Sequence, residues 1–260
     1  MRLAAVGFIL LLPFLAMGSP LAQTGQMTLP AGDIYELRIR CGSGSLYITN
    51  AEWQDKIRVF VEIEAEEETK IEFQDFSEKY VDLKLERKGR RAILTSKLKK
   101  VLLNSVGTLL NPMDAKINLT VEVPSGVDLF INDGSGAIHI QHFNGHMVIQ
   151  DDSGGIILEN VIGNVTVADG SGKIVMEDIQ GNVEIKDGSG IIDVDKIRGD
   201  VRVTDGSGEI SIQHVDGNVT VMDESGEIGI NDISGNVLIR GRGSGEMNIE
   251  RVKGQVVTND

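Results

Sequence analysis

Residues 169–186 read DGSGKIVMEDIQGNVEIK. On either side of Gly181 and Asn182, apolar residues recur at every second position, as in Ile174 and Met176 or Val183 and Ile185, which is the period-two pattern of a half-buried β-strand. The glycine-rich segments 169–172 and 181–182 are typical of tight turns. The stretch therefore predicts two strands of about five residues, each followed by a turn of about four.

The same unit is repeated through the second half of the chain. A serine in the first turn recurs every 18 residues, and the last one follows after 19; the series is Ser135, Ser153, Ser171, Ser189, Ser207, Ser225 and Ser244. Five positions, which lie 3, 5, 8, 12 and 14 residues after each serine, carry apolar side chains in all seven units, with Thr258 as the one polar exception. The extra residue of the last unit lies near Gly241 and is expected in a turn.

Two strands and two turns of constant length predict a coil that stacks on its neighbours, because seven separate hairpins would not share one core as economically. We therefore predict an all-β fold, a single-stranded parallel β-solenoid with 18-residue coils, seven of them regular, over residues 133–260. Coils ~4.8 Å apart would make a rod of about 30–35 Å. The apolar positions are expected to line its interior.

Residues 27–132 are less regular but also alternate, so we predict strands there. The turn Gly42-Ser43-Gly44, followed by Leu46 and Ile48, repeats the turn and first strand of a coil. We therefore predict an irregular β N-terminal part, in which the same solenoid begins with longer coils and caps one end.

Residues 1–22 are predicted to be a signal peptide, because Arg2 precedes an apolar run over residues 3–17. Cleavage is expected after Gly18 or Ala22. No other apolar run is long enough for a bilayer. We expect an exported protein, periplasmic, extracellular or at the cell surface, with no transmembrane anchor after cleavage.

The first turn begins with an aspartate in six of the seven units, and the ladder comprises Asp133, Asp151, Asp169, Asp187, Asp205 and Asp223. Like charges about 5 Å apart repel by about 3–4 kcal/mol at an effective dielectric of 20, so this ladder must be solvated or must bind cations. Solvated turn residues and a weak divalent-cation site both stay open. The serines and asparagines of the turns are expected to form structural hydrogen-bond ladders.

The charge is uneven along the chain. The formal net charge of −14 argues against a nucleic-acid partner, and residues 133–260 carry 22 acidic against 9 basic residues. One basic cluster lies in the first half, and its surface-binding candidates are Arg87, Lys88, Arg90, Arg91, Lys97, Lys99 and Lys100, with Glu86 as the one acidic neighbour in sequence. The apolar spacing over residues 98–113 predicts a short amphipathic helix, which would either cap the solenoid or contact an anionic membrane surface.

Residues that could carry chemistry are few. Cys41 is the single cysteine, which excludes an intramolecular disulfide and leaves a buried reduced thiol or a reactive, intermolecularly paired thiol open. His139, His142 and His146 are expected to point in different directions and not to form a metal site. We see no catalytic nucleophile with its partners and no phosphate-binding or dinucleotide motif, so we predict neither enzyme activity nor a cofactor. A polysaccharide-active enzyme is the less favoured alternative, with a site built from residues 62–114.

The segment Leu119-Thr120-Val121-Glu122-Val123-Pro124, which leads into tandem Asp-Gly-Ser-Gly-x-Ile and Gly-Asn-Val units, resembles the bacterial putative-adhesin domain, a β-strand-repeat family of unknown function. The resemblance spans about residues 30–260 and implies attachment at the cell envelope. Together with the repeat, it predicts a non-enzymatic exported envelope protein that binds an envelope polysaccharide or protein. The alternative is a structural protein that self-associates through an open solenoid end.

Overall fold

The computed structural model describes residues 12–14, 21–65, 80–99, 101–102, 109–110, 115–241 and 243–259. These residues form a twelve-stranded sheet, an eleven-stranded sheet and a two-stranded sheet. Strands of the N-terminal part are β1 (Leu12–Phe14), β2 (Leu21–Pro30), β3 (Glu36–Arg40), β4 (Leu46–Asn50), β5 (Lys56–Ala65), β6 (Val81–Lys88), β7 (Arg91–Leu98), β8 (Val101–Leu102), β9 (Leu109–Leu110), β10 (Lys116–Val123) and β11 (Asp128–Asn132).

The regular coils each contribute one strand to each large sheet. Their strands are β12 (Gly136–Asn144), β13 (Met147–Asp151), β14 (Gly154–Ile162), β15 (Val165–Asp169), β16 (Gly172–Gln180), β17 (Val183–Asp187), β18 (Gly190–Arg198), β19 (Val201–Asp205), β20 (Gly208–Val215), β21 (Val219–Asp223), β22 (Gly226–Ile233), β23 (Val237–Arg240), β24 (Met247–Val252) and β25 (Val256–Asn259). Every pairing between successive coils is parallel and in register, as where Ile156 lies opposite Ile174. The predicted parallel β-solenoid with seven 18-residue coils is confirmed.

The core is a stack of aliphatic side chains between the two sheets. All 30 predicted inward positions of the first six coils are at most 2% exposed. The last coil differs, because Met247 and Ile249 are only partly buried and Val256 is 46% exposed. The end of the rod that carries β24 and β25 therefore presents open strand edges.

The N-terminal part continues the parallel stack, and its outermost strands then pair antiparallel. Strands β3 and β4 form a coil beneath β11 and β12, and Ser43 bridges Ser135 as the predicted Gly-Ser-Gly turn requires. Strands β7 and β10 lie one level further out. Antiparallel strands then cover this end, with β6 beside β7 in one sheet and β5, β2 and β1 beside β10 in the other.

The amphipathic helix predicted over residues 98–113 is wrong where the structure describes this segment. Leu98 ends strand β7, and Leu102 pairs antiparallel with Leu109 between β8 and β9. Extended pairing has prevailed over the local apolar spacing, and the intervening Gly107, which lies outside the described residues, weakens a helix. Of the predicted signal peptide, Leu12–Phe14 and residues 21–22 are described, and they pair with each other and with β5. Its cleavage stays a prediction.

Candidate functional site

The six turn aspartates form a buried column inside the rod, which we call the aspartate column: Asp133, Asp151, Asp169, Asp187, Asp205 and Asp223. The last five lie directly opposite one another in the parallel register, about 4.8 Å apart. All six residues are only 1–8% exposed. The prediction that this ladder is solvated is therefore wrong.

Strand periodicity explains why these aspartates point inward. In β13 the side chains of Met147, Ile149 and Asp151 are buried while Val148 and Gln150 are exposed. The aspartate thus occupies the third inward position of a strand whose first two inward positions are aliphatic. It ends the strand, so its carboxyl lies at the corner where the chain turns into the other sheet.

Most oxygens of the column lack a hydrogen-bond partner. The backbone N–H of Gly134 donates to Oδ1 of Asp133 (2.9 Å), and that of Ser225 donates to Oδ1 of Asp223 (3.1 Å). The remaining oxygen of each of these two residues has no partner. Both carboxyl oxygens are unpartnered in the four residues between them, namely Asp151, Asp169, Asp187 and Asp205.

Burial raises the pKa of every carboxyl in the column. The pKa of Asp151 rises to about 7, because the charges of Asp133 and Asp169 add to the effect of burial. The pKa of Asp205 rises to about 6 for the same reasons, with Asp187 and Asp223 as its neighbours. N–H groups of the turns lie close to these carboxyls without meeting hydrogen-bond geometry, and they lower the pKa values less than burial raises them.

The column continues into the N-terminal part with uncharged groups. The pairing of Arg40 with Asn132 places Cys41 level with Asp133, and the pairing of Arg40 with Thr95 places Ser96 beneath Cys41. Ser96 is 2% exposed and its hydroxyl has no partner. Burial raises the pKa of the Cys41 thiol and Asp133 adds to the effect, so the thiol is uncharged. Cys41 is partly buried, and because a thiol with a raised pKa is a poor nucleophile, the structure fits the reduced state better than the reactive one.

A second ladder runs along the opposite corner of the coils, and we call it the amide ladder: His146, Asn164, Asn182, Asp200, Asn218, Asn236 and Gln255. Each side chain up to Asn236 accepts the backbone N–H of the next member, as in the bond from Asn182 N–H to Oδ1 of Asn164 (2.9 Å). The predicted structural role of the asparagine turns is confirmed. Ser225 Oγ similarly donates to the carbonyl of Gly206 in the preceding coil (3.3 Å).

The arginines of the predicted basic cluster are paired within the molecule. Arg87 and Arg90 both contact Asp33, the latter at 3.8 Å. Arg91 lies 3.2 Å from Glu36. In the folded protein Glu86 is therefore not the cluster's one acidic neighbour, because the fold brings acidic residues from the segment around β3 beside β6 and β7.

The lysines of this cluster are more exposed to solvent. Lys88 pairs with Glu86 at 2.7 Å, and both side chains are largely exposed. Lys97 is exposed on β7, and the backbone N–H of Lys99 donates to the carbonyl of Tyr80 (2.6 Å). Lys100 lies outside the described residues. Binding by this cluster stays a prediction.

The histidines are dispersed, as predicted. His139 pairs with Glu159 at 3.1 Å on the outer face of the first sheet, while His146 belongs to the amide ladder. His142 occupies a corner with φ of 50°. Within the described part of the chain, no three His, Cys, Asp or Glu side chains converge as metal ligands.

A shallow groove of about 490 Å³ lies on the outer face of β2, β5 and β10. Phe60 lies at its centre, 38% exposed, with Gln26 and Thr120 directly opposite it on the two neighbouring strands. The next outward row consists of Thr24, Glu62 and Asn118, which are likewise opposite one another. One aromatic ring is thus surrounded by five polar side chains. The sequence did not predict this site.

The stacked coils, the two ladders and the cap define a β-solenoid repeat protein. The chain belongs to the Toastrack family, DUF4097, whose model matches residues 48–250. No curated protein matches the sequence.

The chain is also similar to solved structures of bacterial proteins, three of which are as follows. A "putative cell adhesion protein" from Clostridium sporogenes is 15% identical (91% of this chain, 98% of that chain, TM-score 0.30). A "putative lipid binding protein" from Parabacteroides distasonis is 13% identical (93% and 95%, TM-score 0.47), and a "putative adhesin" from Bacteroides fragilis is 13% identical (91% and 97%, TM-score 0.37). Among the residues described for this chain, no helix has the length and apolarity to cross a bilayer.

Proposed function

We propose that this protein is an exported, non-enzymatic, adhesin-like protein of the cell envelope, in which the solenoid is a rigid support and the groove around Phe60 binds an envelope polysaccharide. The observation that carries the proposal is the composition of this groove. The C–H face of a sugar ring can pack on the exposed ring of Phe60. The surrounding amide, hydroxyl and carboxylate groups can donate to and accept from sugar hydroxyls.

The position of the groove supports the same function. It lies on the antiparallel strands of the capped end, where three strands present their outward side chains as a flat, open surface. A long polymer can cross such a surface without threading into a pocket. Cleavage after Ala22 would leave Thr24, Gln26 and the rest of the groove in the mature chain.

N-terminal sequencing of protein recovered outside the cytoplasm tests export, and we expect a start at residue 19 or 23.

Replacing Phe60 with alanine should weaken binding to purified peptidoglycan about tenfold, because the loss of one stacking surface costs about 1.4 kcal/mol. Cosedimentation with insoluble peptidoglycan measures the affinity. The matched control is Ile157→Ala, which removes an apolar side chain of similar exposure (37%) from the outer face of a regular coil and should leave the affinity unchanged.

Equal affinities for the Phe60→Ala variant and the wild-type protein would exclude the groove. If the Lys97→Glu variant instead loses binding to peptidoglycan and also to anionic vesicles, attachment would be assigned to the basic cluster. Absence of any binding by the wild-type protein would reject peptidoglycan as the ligand.

Self-association through the open end is the second candidate, and the exposure of β25 favours it. Val256 and Val257 are 46% and 43% exposed on a strand whose far edge pairs with no described strand. Hydrophobic edge strands of this kind pair readily with a second chain. At the opposite end the edge strands are the three-residue β1 and the charge-rich β6, and both features disfavour pairing. End-to-end pairing through β24 and β25 would therefore stop at two copies.

The Val256→Lys variant should be monomeric if the open end joins two copies, because a charged side chain at this edge opposes pairing. Light scattering of the full chain measures the mass, and we expect twice the chain mass for the wild-type protein. Val148→Lys, an outward substitution on a central coil, is the control and should leave a dimer intact. A wild-type monomer at high concentration would contradict this second candidate.

A further inference from the structure

The aspartate column presents an electrostatic problem that neither proposed binding role addresses. Six aspartates lie in a row on neighbouring strands, which are about 4.8 Å apart, and at least 92% of the surface of each residue is excluded from solvent. No arginine or lysine is among the groups that lower the pKa values of these carboxyls. A row of ionised, unpaired carboxylates in such a position is strongly unfavourable. Something must neutralise part of the column.

We propose that the aspartate column is a proton-binding site inside the solenoid, in which carboxyls of neighbouring coils share protons through O–H···O hydrogen bonds. The unpartnered oxygens carry the argument. A carboxyl turned along the rod axis spans about half of the spacing between coils and brings its oxygen to about 2.5–2.7 Å from the next carboxyl, the distance of a charge-assisted O–H···O bond. One proton between two carboxyls then satisfies one oxygen on each and removes one of the two charges.

Protons fit this column better than metal ions do. Calcium requires six to eight oxygen ligands, and magnesium requires a near-octahedral set. Each interval between coils offers two carboxyls, and no third acidic, histidine or cysteine group converges there in the described part of the chain. A proton requires only the two oxygens that are present.

The charged and titratable groups around the column favour retention of protons. Asp152 adds negative charge near Asp133 and Asp169, and Glu224 does so near Asp223. At the other end the uncharged Cys41 thiol contacts Asp133, and Lys97 is the basic group whose charge acts on that thiol. Most of the nearby charge therefore has the sign that disfavours ionisation of the column.

The sign of the resulting pH dependence follows from the raised pKa values. The unfolded chain releases the aspartate protons near the ordinary pKa of 3.8, whereas folded Asp151 and Asp205 release theirs only near pH 7 and 6. Between about pH 4 and 7 the folded state therefore binds more protons, and folding becomes less favourable as the pH rises. Each retained proton makes the folding equilibrium constant fall about tenfold per pH unit. The rod is thus stabilised by acid over a range in which loss of ion pairs destabilises many proteins.

The test compares the wild-type protein with Asp151→Asn, which keeps the side-chain shape and removes the titratable group. Urea unfolding between pH 4.5 and 8.5 gives the folding equilibrium constant at each pH. Between pH 5 and 6 the folding equilibrium constant of the wild-type protein should fall more steeply than that of the variant, by an additional factor of about ten per pH unit, because the variant binds one proton fewer. At pH 8 its equilibrium constant should exceed that of the wild-type protein at least tenfold. Asp193→Asn, which changes an outward-facing aspartate of β18, should leave both quantities unchanged.

An equal pH slope for Asp151→Asn and the wild-type protein would overturn the proposal. If Asp151→Asn does not fold, Asp205→Asn provides the same comparison. Infrared spectroscopy of the folded wild-type protein adds an independent measurement, with a protonated-carboxyl band expected at pH 6 and lost at pH 9. Absence of that band at pH 6 would also overturn it. Titration with calcium after chelator treatment is the last measurement. Calcium that stabilises the wild-type protein at pH 8 but not Asp151→Asn would overturn the proposal, because it would show that the column binds cations instead of protons.

Discussion

The Ile174→Asp variant is expected to lose about 3–5 kcal/mol of unfolding free energy at pH 8, because it places an unpaired charge in a dry stack of aliphatic side chains. Ile174 is fully buried and lies between Ile156 in the coil before it and Ile192 in the coil after it. The described side chains around this position are aliphatic and cannot donate a hydrogen bond to the new carboxylate. Urea unfolding followed by circular dichroism measures the loss.

Val175→Asp is the matched control for this substitution. Val175 is the next residue of the same strand, and its side chain points to the outer face. The new carboxylate lies opposite Asp193 of the next coil, but both face solvent, which limits their repulsion to about 1 kcal/mol. With the lower β-propensity of aspartate, stability should fall by about 1–1.5 kcal/mol. Similar losses in the two variants would contradict the inward and outward assignment on which the whole solenoid depends.

The regular coils could be predicted from sequence because each residue's environment repeats. The alternation at Ile174 and Met176 places both on one face, and the constant spacing of 18 residues brings equivalent faces into register. Local pattern and long-range contact carry the same information in such a repeat. For this reason the parallel solenoid, its coil count and the asparagine ladder were all predictable.

The aspartates show where a residue's chemical type was a poorer guide than its position. Asp151 follows Met147 and Ile149 at period two, and this pattern alone places it inside the rod. The preference of a carboxylate for water predicted a solvent-exposed side chain, and that prediction was wrong. The periodicity was the better guide because the backbone of a strand fixes the direction of each side chain, whereas the charge of a carboxyl can be neutralised by a proton.

The groove around Phe60 could not be predicted because it depends on three strands that are far apart in sequence. Phe60 meets Gln26 on one side and Thr120 on the other through antiparallel pairings of the cap. No repeat links these segments, so their register is absent from the local pattern. The same limit applies to Arg87 and Asp33, whose contact arises only when β6 and β7 pack beside the segment that precedes β3.

The glycines of the first turn lead to the other large expected effect, a loss of about 3–5 kcal/mol in Gly172→Ala. Gly172 has φ of 145°, which side chains rarely tolerate, and an added Cβ would lie 1.6 Å from the carbonyl oxygen of Gly154 in the preceding coil. The coil must shift along the rod to accept this atom, and any shift breaks the parallel hydrogen bonds on both sides. Thermal and urea unfolding measure the loss.

Gly155→Ala separates this close contact from the general effect of replacing a glycine. Gly155 follows the equivalent turn glycine by one residue, and an added Cβ would meet its nearest atom at 3.9 Å. Lys173 lies opposite it in the next coil, so the backbone here already accepts a side chain. Stability should change by no more than about 0.5 kcal/mol. Gly172→Ala with the same small effect would mean that the spacing between coils is not set by glycine packing against the preceding carbonyl, and that the hydrogen bonds and the aliphatic core alone determine it.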